Sequence, residues 1–129
     1  MQDCLGWRYD PSRLNGLRVL VVEDNTASAF HLVGILRDNG GCVFGPCKTV
    51  SAARNILDDR TVDVVLVDIE LEDSFADDLV RDIRRRKIPF AIVTGRIWPT
   101  DADEGALAVF HKPVDGSALI DLLAQQCPA

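Results

Sequence analysis

Short, predominantly apolar runs alternate along this chain with longer amphipathic ones, and each apolar run stops at a polar, charged or turn-forming residue. Arg18-Val19-Leu20-Val21-Val22 stops at Glu23-Asp24, Val62 to Val67 at Asp68, Phe90 to Val93 at Thr94-Gly95, and Leu107 to His111 at Lys112-Pro113. A shorter run, Cys42 to Gly45, precedes Pro46. Runs of this length without polar alternation are those of strands covered on both faces. Between them, apolar residues recur at helical spacing: Ala29, Phe30, Val33 and Leu36 before the stop at Gly40-Gly41; Ala53, Ile56 and Leu57; Leu79, Val80 and Ile83; Leu119, Ile120, Leu122 and Leu123. Five strands and four or five helices in alternation predict an α/β domain with a parallel sheet, helices on both faces and right-handed crossovers. The stretch from Arg96 to Gly105 breaks the pattern. It holds Pro99, three acidic residues and few apolar ones, so the fourth helix is expected to be shortened or replaced by a loop.

A chain of 129 residues is long enough for one core and too short for two. Residues 1–16, with Pro11, Gly16 and no periodicity, read as an N-terminal extension, and residues 17–129 as the folded domain. The net charge of -6 argues against nucleic acid and anionic lipid as direct partners, and the acidic clusters suggest a divalent cation instead. No apolar run reaches the roughly 20 residues of a membrane span, and Met1 to Asn15 lacks the features of a signal peptide, which makes the cytoplasm the expected compartment. Cys4, Cys42, Cys47 and Cys127 form no C-x-x-C pair and read as reduced packing residues.

In a doubly wound sheet the ligand site lies outside the carboxyl ends of the strands, where the polar stops fall. Glu23 and Asp24 after strand one, Asp68 at the end of strand three, Thr94 after strand four and Lys112 after strand five are therefore expected on one rim. Three carboxylates brought together repel one another unless a cation compensates, and oxygen-only ligands suit Mg2+. A carboxylate such as Asp68 can act as nucleophile toward a phosphoryl group, with Mg2+ and the Lys112 ammonium neutralising charge and the Thr94 hydroxyl bonding a phosphoryl oxygen.

These residues, in the motifs Val21-Val22-Glu23-Asp24-Asn25, Val67-Asp68, Val93-Thr94-Gly95 and His111-Lys112-Pro113, make the chain resemble the response-regulator receiver family from Leu17 onward. The resemblance implies a flavodoxin-like sheet of order 2-1-3-4-5 and a two-component signalling role, with Asp68 as phosphoacceptor and Thr94 and Lys112 as its helpers. It also implies Mg2+ held by Asp24, Asp68 and the backbone carbonyl of Glu70, with Glu23 reaching the ion through water, and a cis candidate at Lys112-Pro113. The partners implied are a sensor histidine kinase or phosphotransfer protein and a downstream protein target, with no catalytic turnover beyond self-phosphorylation and autodephosphorylation. With no output domain expected, the role is that of a phosphate sink, a relay intermediate or a regulator acting by contact. Gly41 to Pro46 and Pro89 to Arg96 further resemble the stand-alone alphaproteobacterial receivers called the FAT GUY class, associated with kinases of the HWE type.

The chain also departs from the family pattern. Val109 stands three residues before the lysine, where most receivers carry Tyr or Phe, and Phe110 should point to the opposite face. An ordering of the 96–105 loop is the expected alternative switch, and Glu70 and Arg96 are an expected ion pair across the site. His31 reads as helix surface, His111 as strand-end packing, the Arg84 to Lys87 run as a solvated helix face, and Trp98 as a candidate loop anchor; Trp7 carries no reading. Two rival readings stand beside the receiver. A haloacid-dehalogenase-type phosphatase needs an aspartate where this chain has Glu70, and a phosphorylation-independent interaction module would keep only the fold.

Overall fold

The structure, a computed structural model, describes residues 12–71, 76–95 and 105–127. In chain order the elements are β1 (Arg18–Val22), α1 (Thr26–Asp38), β2 (Cys42–Cys47), α2 (Val50–Asp59), β3 (Val64–Asp68), α3 (Ala76–Arg85), β4 (Phe90–Thr94), β5 (Val109–His111) and α4 (Gly116–Ala124). All strand pairings are parallel, in the order β2-β1-β3-β4-β5, the flavodoxin-like arrangement expected from the resemblance.

The continuous apolar character of the central strands follows from their place between two layers of helices. Side chains alternate across the sheet, so Leu20, Val22, Val65, Val67 and Ile92 pack with Ala53, Leu57, Leu79 and Ile83 of α2 and α3 on one face. Val19, Val21, Val64, Leu66 and Val93 pack with Leu32, Leu36, Leu119 and Leu123 of α1 and α4 on the other. The helices begin where polar side chains accept otherwise orphaned backbone N–H groups. Asn25 Oδ1 accepts from Ser28, Thr49 Oγ1 from Ala52, and Asp115 Oδ1 from Ser117 and Ala118. In α3, Asp77 and Asp78 sit in the first turn and Arg84 and Arg85 in the last, each sign opposing the nearby end of the helix dipole.

The second, third and fifth strands differ from their expected bounds, the third beginning at Val64 rather than Val62. The second continues through Pro46 to Cys47, because an extra residue is accommodated between the pairings Leu20 with Phe44 and Val22 with Cys47. Proline is tolerated there because β2 is an edge strand. Gly45 makes the step with φ +94°, and a Cβ on it would stand 2.7 Å from the Val21 carbonyl oxygen. The fifth strand is trimmed to Val109–His111, although the Leu107 N–H still donates to Phe90 O at 2.8 Å. Among the described residues four helices are present; the expected loop at 96–105 lies outside them apart from Gly105.

Residues 1–11 of the expected extension also lie outside the described residues, but 12–16 are tied to the domain. Leu14 is fully buried in the α1/α4 core, its N–H donates to Asn39 O at 2.8 Å, and the Cys127 thiol donates to its carbonyl at 2.9 Å. Cys42, Cys47 and Cys127 are free thiols; Cys47 is buried and Cys127 half-buried, as expected of packing residues, whereas Cys42 is exposed on the edge strand, and Cys4 lies outside the described residues.

Candidate phosphoryl-transfer site

Since every strand runs the same way, the residues that end β1, β3, β4 and β5 meet at one rim. Asp68 is the last residue of β3 and is paired with Val93 of β4. The Lys112 N–H donates to Thr94 O at 2.8 Å, which clamps the end of β5 to the end of β4. Glu23 leaves β1 with its N–H bonded to Cys47 O of the neighbouring β2 at 2.9 Å. Backbone ladders alone thus bring together positions separated by up to 89 residues in sequence.

Glu23, Asp68 and Thr94 are buried and Asp24 is half-buried. A carboxylate oxygen from each of Glu23, Asp24 and Asp68 lies within 4.8 Å of the others. The Lys112 ammonium donates to Asp68 Oδ2 at 3.1 Å and to Glu23 Oε1. Burial pushes the Glu23 carboxyl up to about 7; the adjoining Asp68 adds to the rise and Lys112 opposes it. Burial lowers the Lys112 ammonium, but its bonds to Glu23 and Asp68 more than reverse that, so it stays a cation. Glu23 Oε2 is buried and accepts no hydrogen bond among the described residues. An oxygen-only donor set with an unsatisfied buried oxygen and excess negative charge fits a hard divalent cation.

The expected site residues Glu23, Asp24, Asp68, Thr94 and Lys112 converge as the strand order requires. Lys112-Pro113 is cis, as expected, and Gly45-Pro46 is cis as well. The position of Glu70 held something not legible in the sequence. Its N–H donates to Asp68 Oδ1 at 2.9 Å, and its carboxylate accepts the Thr94 hydroxyl at 2.9 Å. The expected partner Arg96 lies outside the described residues, as does Trp98. Val109 is 40% exposed while Phe110 packs against the α1/α4 core, so the aromatic does face away from the place where a switch residue would stand. His31, expected as helix surface, is exposed and also borders a half-open cavity of about 350 Å³ between α1 and Lys112-Pro113-Val114. The Arg84 to Lys87 run is less uniform than a solvated face: Arg85 and Arg86 hold the buried Asp82, and Arg84 stacks over Phe90 at 5.6 Å.

A doubly wound parallel sheet thus carries an acidic cluster, a threonine and a lysine on its carboxyl rim, where sheets of this kind bind their ligands. The chain belongs to the response regulator receiver domain family, whose model matches residues 19–124. No match was found among curated proteins. Among solved structures it is similar to a CheY-like receiver domain protein from Methanospirillum hungatei JF-1 at 25% identity and TM-score 0.74, covering 85% of this chain and 95% of that one. It is also similar to the receiver domain of TorR, the response regulator of the TMAO respiratory system, at 26% identity and TM-score 0.76, covering 84% and 94%. A CheY-like receiver domain from Methylobacillus flagellatus, at 24% identity and TM-score 0.75 over 85% and 98%, shares the fold. No helix among the described residues is long and apolar enough to cross a membrane.

Proposed function

We propose that Asp68 accepts a phosphoryl group from a histidine kinase or phosphotransfer protein and that the phosphorylated chain signals by protein contact. The observation that carries this reading is the Lys112 ammonium held on Asp68 Oδ2 and Glu23, on the rim where Thr94 also stands. An Asp68 oxygen attacks phosphorus, the bond to the donor's leaving group breaks, and an acyl phosphate remains. Lys112 neutralises charge on the transferring group and the Thr94 hydroxyl donates to one of its oxygens. Asp24, Asp68 and the Glu70 carbonyl, with Glu23 through water, are the ligands proposed for Mg2+. When bound, that ion would supply charge neutralisation for the transfer.

The donor is proposed to be a sensor kinase of the HWE type, on the narrower sequence likeness in Gly41 to Pro46 and Pro89 to Arg96. The net charge of -6 supports a protein target over nucleic acid, and the cytoplasm is the compartment in which such a donor presents its phosphoryl group. The exposed Val109 supports an output route that does not pass through a buried aromatic on β5.

The test is the intact mass of the protein after incubation with acetyl phosphate, with and without Mg2+, for the wild type and Asp68→Asn. The expected result is a single phosphoryl adduct that requires both Mg2+ and Asp68. An adduct on Asp68→Asn, or none on the wild type under any condition, would overturn the assignment.

A further inference from the structure

Glu70 stands two residues beyond Asp68, just past the end of β3. The Glu70 N–H bond to Asp68 Oδ1 is a local side-chain-to-backbone bond of the kind that closes a tight turn. It sends the Glu70 side chain across the rim to β4, where Glu70 Oε1 accepts the Thr94 hydroxyl proton at 2.9 Å. Gly95 borders the same gap: a Cβ built on it would stand 3.9 Å from Glu70 Oε1 and 4.0 Å from Lys112 Cδ. Carboxylate, hydroxyl and lysine stem therefore share a narrow space.

A hydroxyl has a single proton to donate. A phosphoryl group on Asp68 needs donors for its oxygens, and the Thr94 proton is already given to Glu70. The incoming group also brings negative charge toward a carboxylate in a partly dehydrated site, where like charges disfavour each other.

We propose that Glu70 is a built-in stand-in for the phosphoryl group at Thr94, a carboxylate gate that must release the hydroxyl before Asp68 is phosphorylated efficiently. This rests on the reading of Asp68 as acceptor. With acetyl phosphate, an Asp68 oxygen bonds to phosphorus, the bond from phosphorus to the acetyl oxygen breaks, and acetate leaves with the electron pair; no proton is gained or lost. Thr94 exchanges one anion for another and stays turned into the site, while the Glu70 side chain moves away. Glu70 is thus a positioning residue acting through Thr94, and its displacement is the structural change that phosphorylation produces.

The test is a double-mutant cycle on the initial rate of phosphoryl uptake from acetyl phosphate, read by intact mass, for the wild type, Glu70→Gln, Thr94→Val and the double variant. A carboxylate accepts a hydroxyl proton more strongly than the neutral amide oxygen of glutamine does, so weakening the hold on the Thr94 hydroxyl should raise the rate about tenfold in Glu70→Gln. In the Thr94→Val background the same change should raise it by less than about twofold, since no hydroxyl remains to be freed. Thr94→Ser, which keeps the donor, should restore the full Glu70 effect. No acceleration in Glu70→Gln, or equal acceleration with and without the hydroxyl, overturns the gate while leaving the acceptor reading intact. Absence of an adduct on the wild type and on every variant overturns both.

Discussion

Burial and charge at single residues set the chemistry of the rim. The Glu23 carboxyl is raised to about 7 by burial, with Asp68 reinforcing the rise against Lys112. A carboxyl raised in the folded state contributes stability that is complete below its ordinary value and is lost as pH rises through the folded one. In buffer free of divalent cations, urea unfolding should therefore show the wild type losing stability between about pH 4.5 and pH 7. Glu23→Gln, which carries no charge to expose, should flatten that fall, and a variant that keeps it would refute the assignment to Glu23. Asp68 and Lys112 were legible as site residues because each ends an apolar run. The Glu70 bond to Thr94 was not, because it depends on how the turn after β3 aims one flexible side chain.

Elements are joined here by one buried charge more than by pattern alone. Asp82 on α3 is buried, with Arg54 of α2 at 3.5 Å, Arg85 at 2.7 Å and Arg86 at 3.2 Å, while Arg86 also bonds Asp58 of α2 at 2.7 Å. Burial raises the Asp82 carboxyl, yet its bonds from Arg86 and Arg85 outweigh burial and hold it below the ordinary aspartate range. Several cations around one buried anion make a network in which each bond helps to hold the others in place. Asp82→Ala should cost about 1–3 kcal/mol in urea unfolding at neutral pH, from the loss of charge-assisted bonds. A depressed carboxyl contributes stability above its ordinary value and loses it as pH falls through the folded one, so the cost should shrink toward pH 3. A cost below about 0.5 kcal/mol would place Asp82 among ordinary surface pairs. Helical periodicity identifies Arg84 to Lys87 as a polar side of α3 and its end, but not that α2 brings Arg54 and Asp58 against it.

For the whole molecule, the question is where the folded unit begins. Leu14 is fully buried against the α1/α4 core, and its backbone is bonded to Asn39 and Cys127. Leu14→Ala should lower stability by about 2–5 kcal/mol, as for other large-to-small changes in a closed core. A loss under about 0.5 kcal/mol would make residues 12–16 a dispensable arm. Alternation of apolar runs and amphipathic helices sufficed, by itself, for the parallel sheet, its two helical layers and the common rim of Glu23, Asp24, Asp68, Thr94 and Lys112. Side-chain period is a property of local sequence, helical crossovers between successive strands make them parallel, and a parallel sheet leaves all strand ends on one side. Tertiary structure decided the extra residue in β2, the burial of Leu14, the approach of Arg54 to Asp82 and the Glu70 contact with Thr94. Each depends on segments distant in sequence meeting in three dimensions, and the packing that brings them together belongs to the fold as a whole.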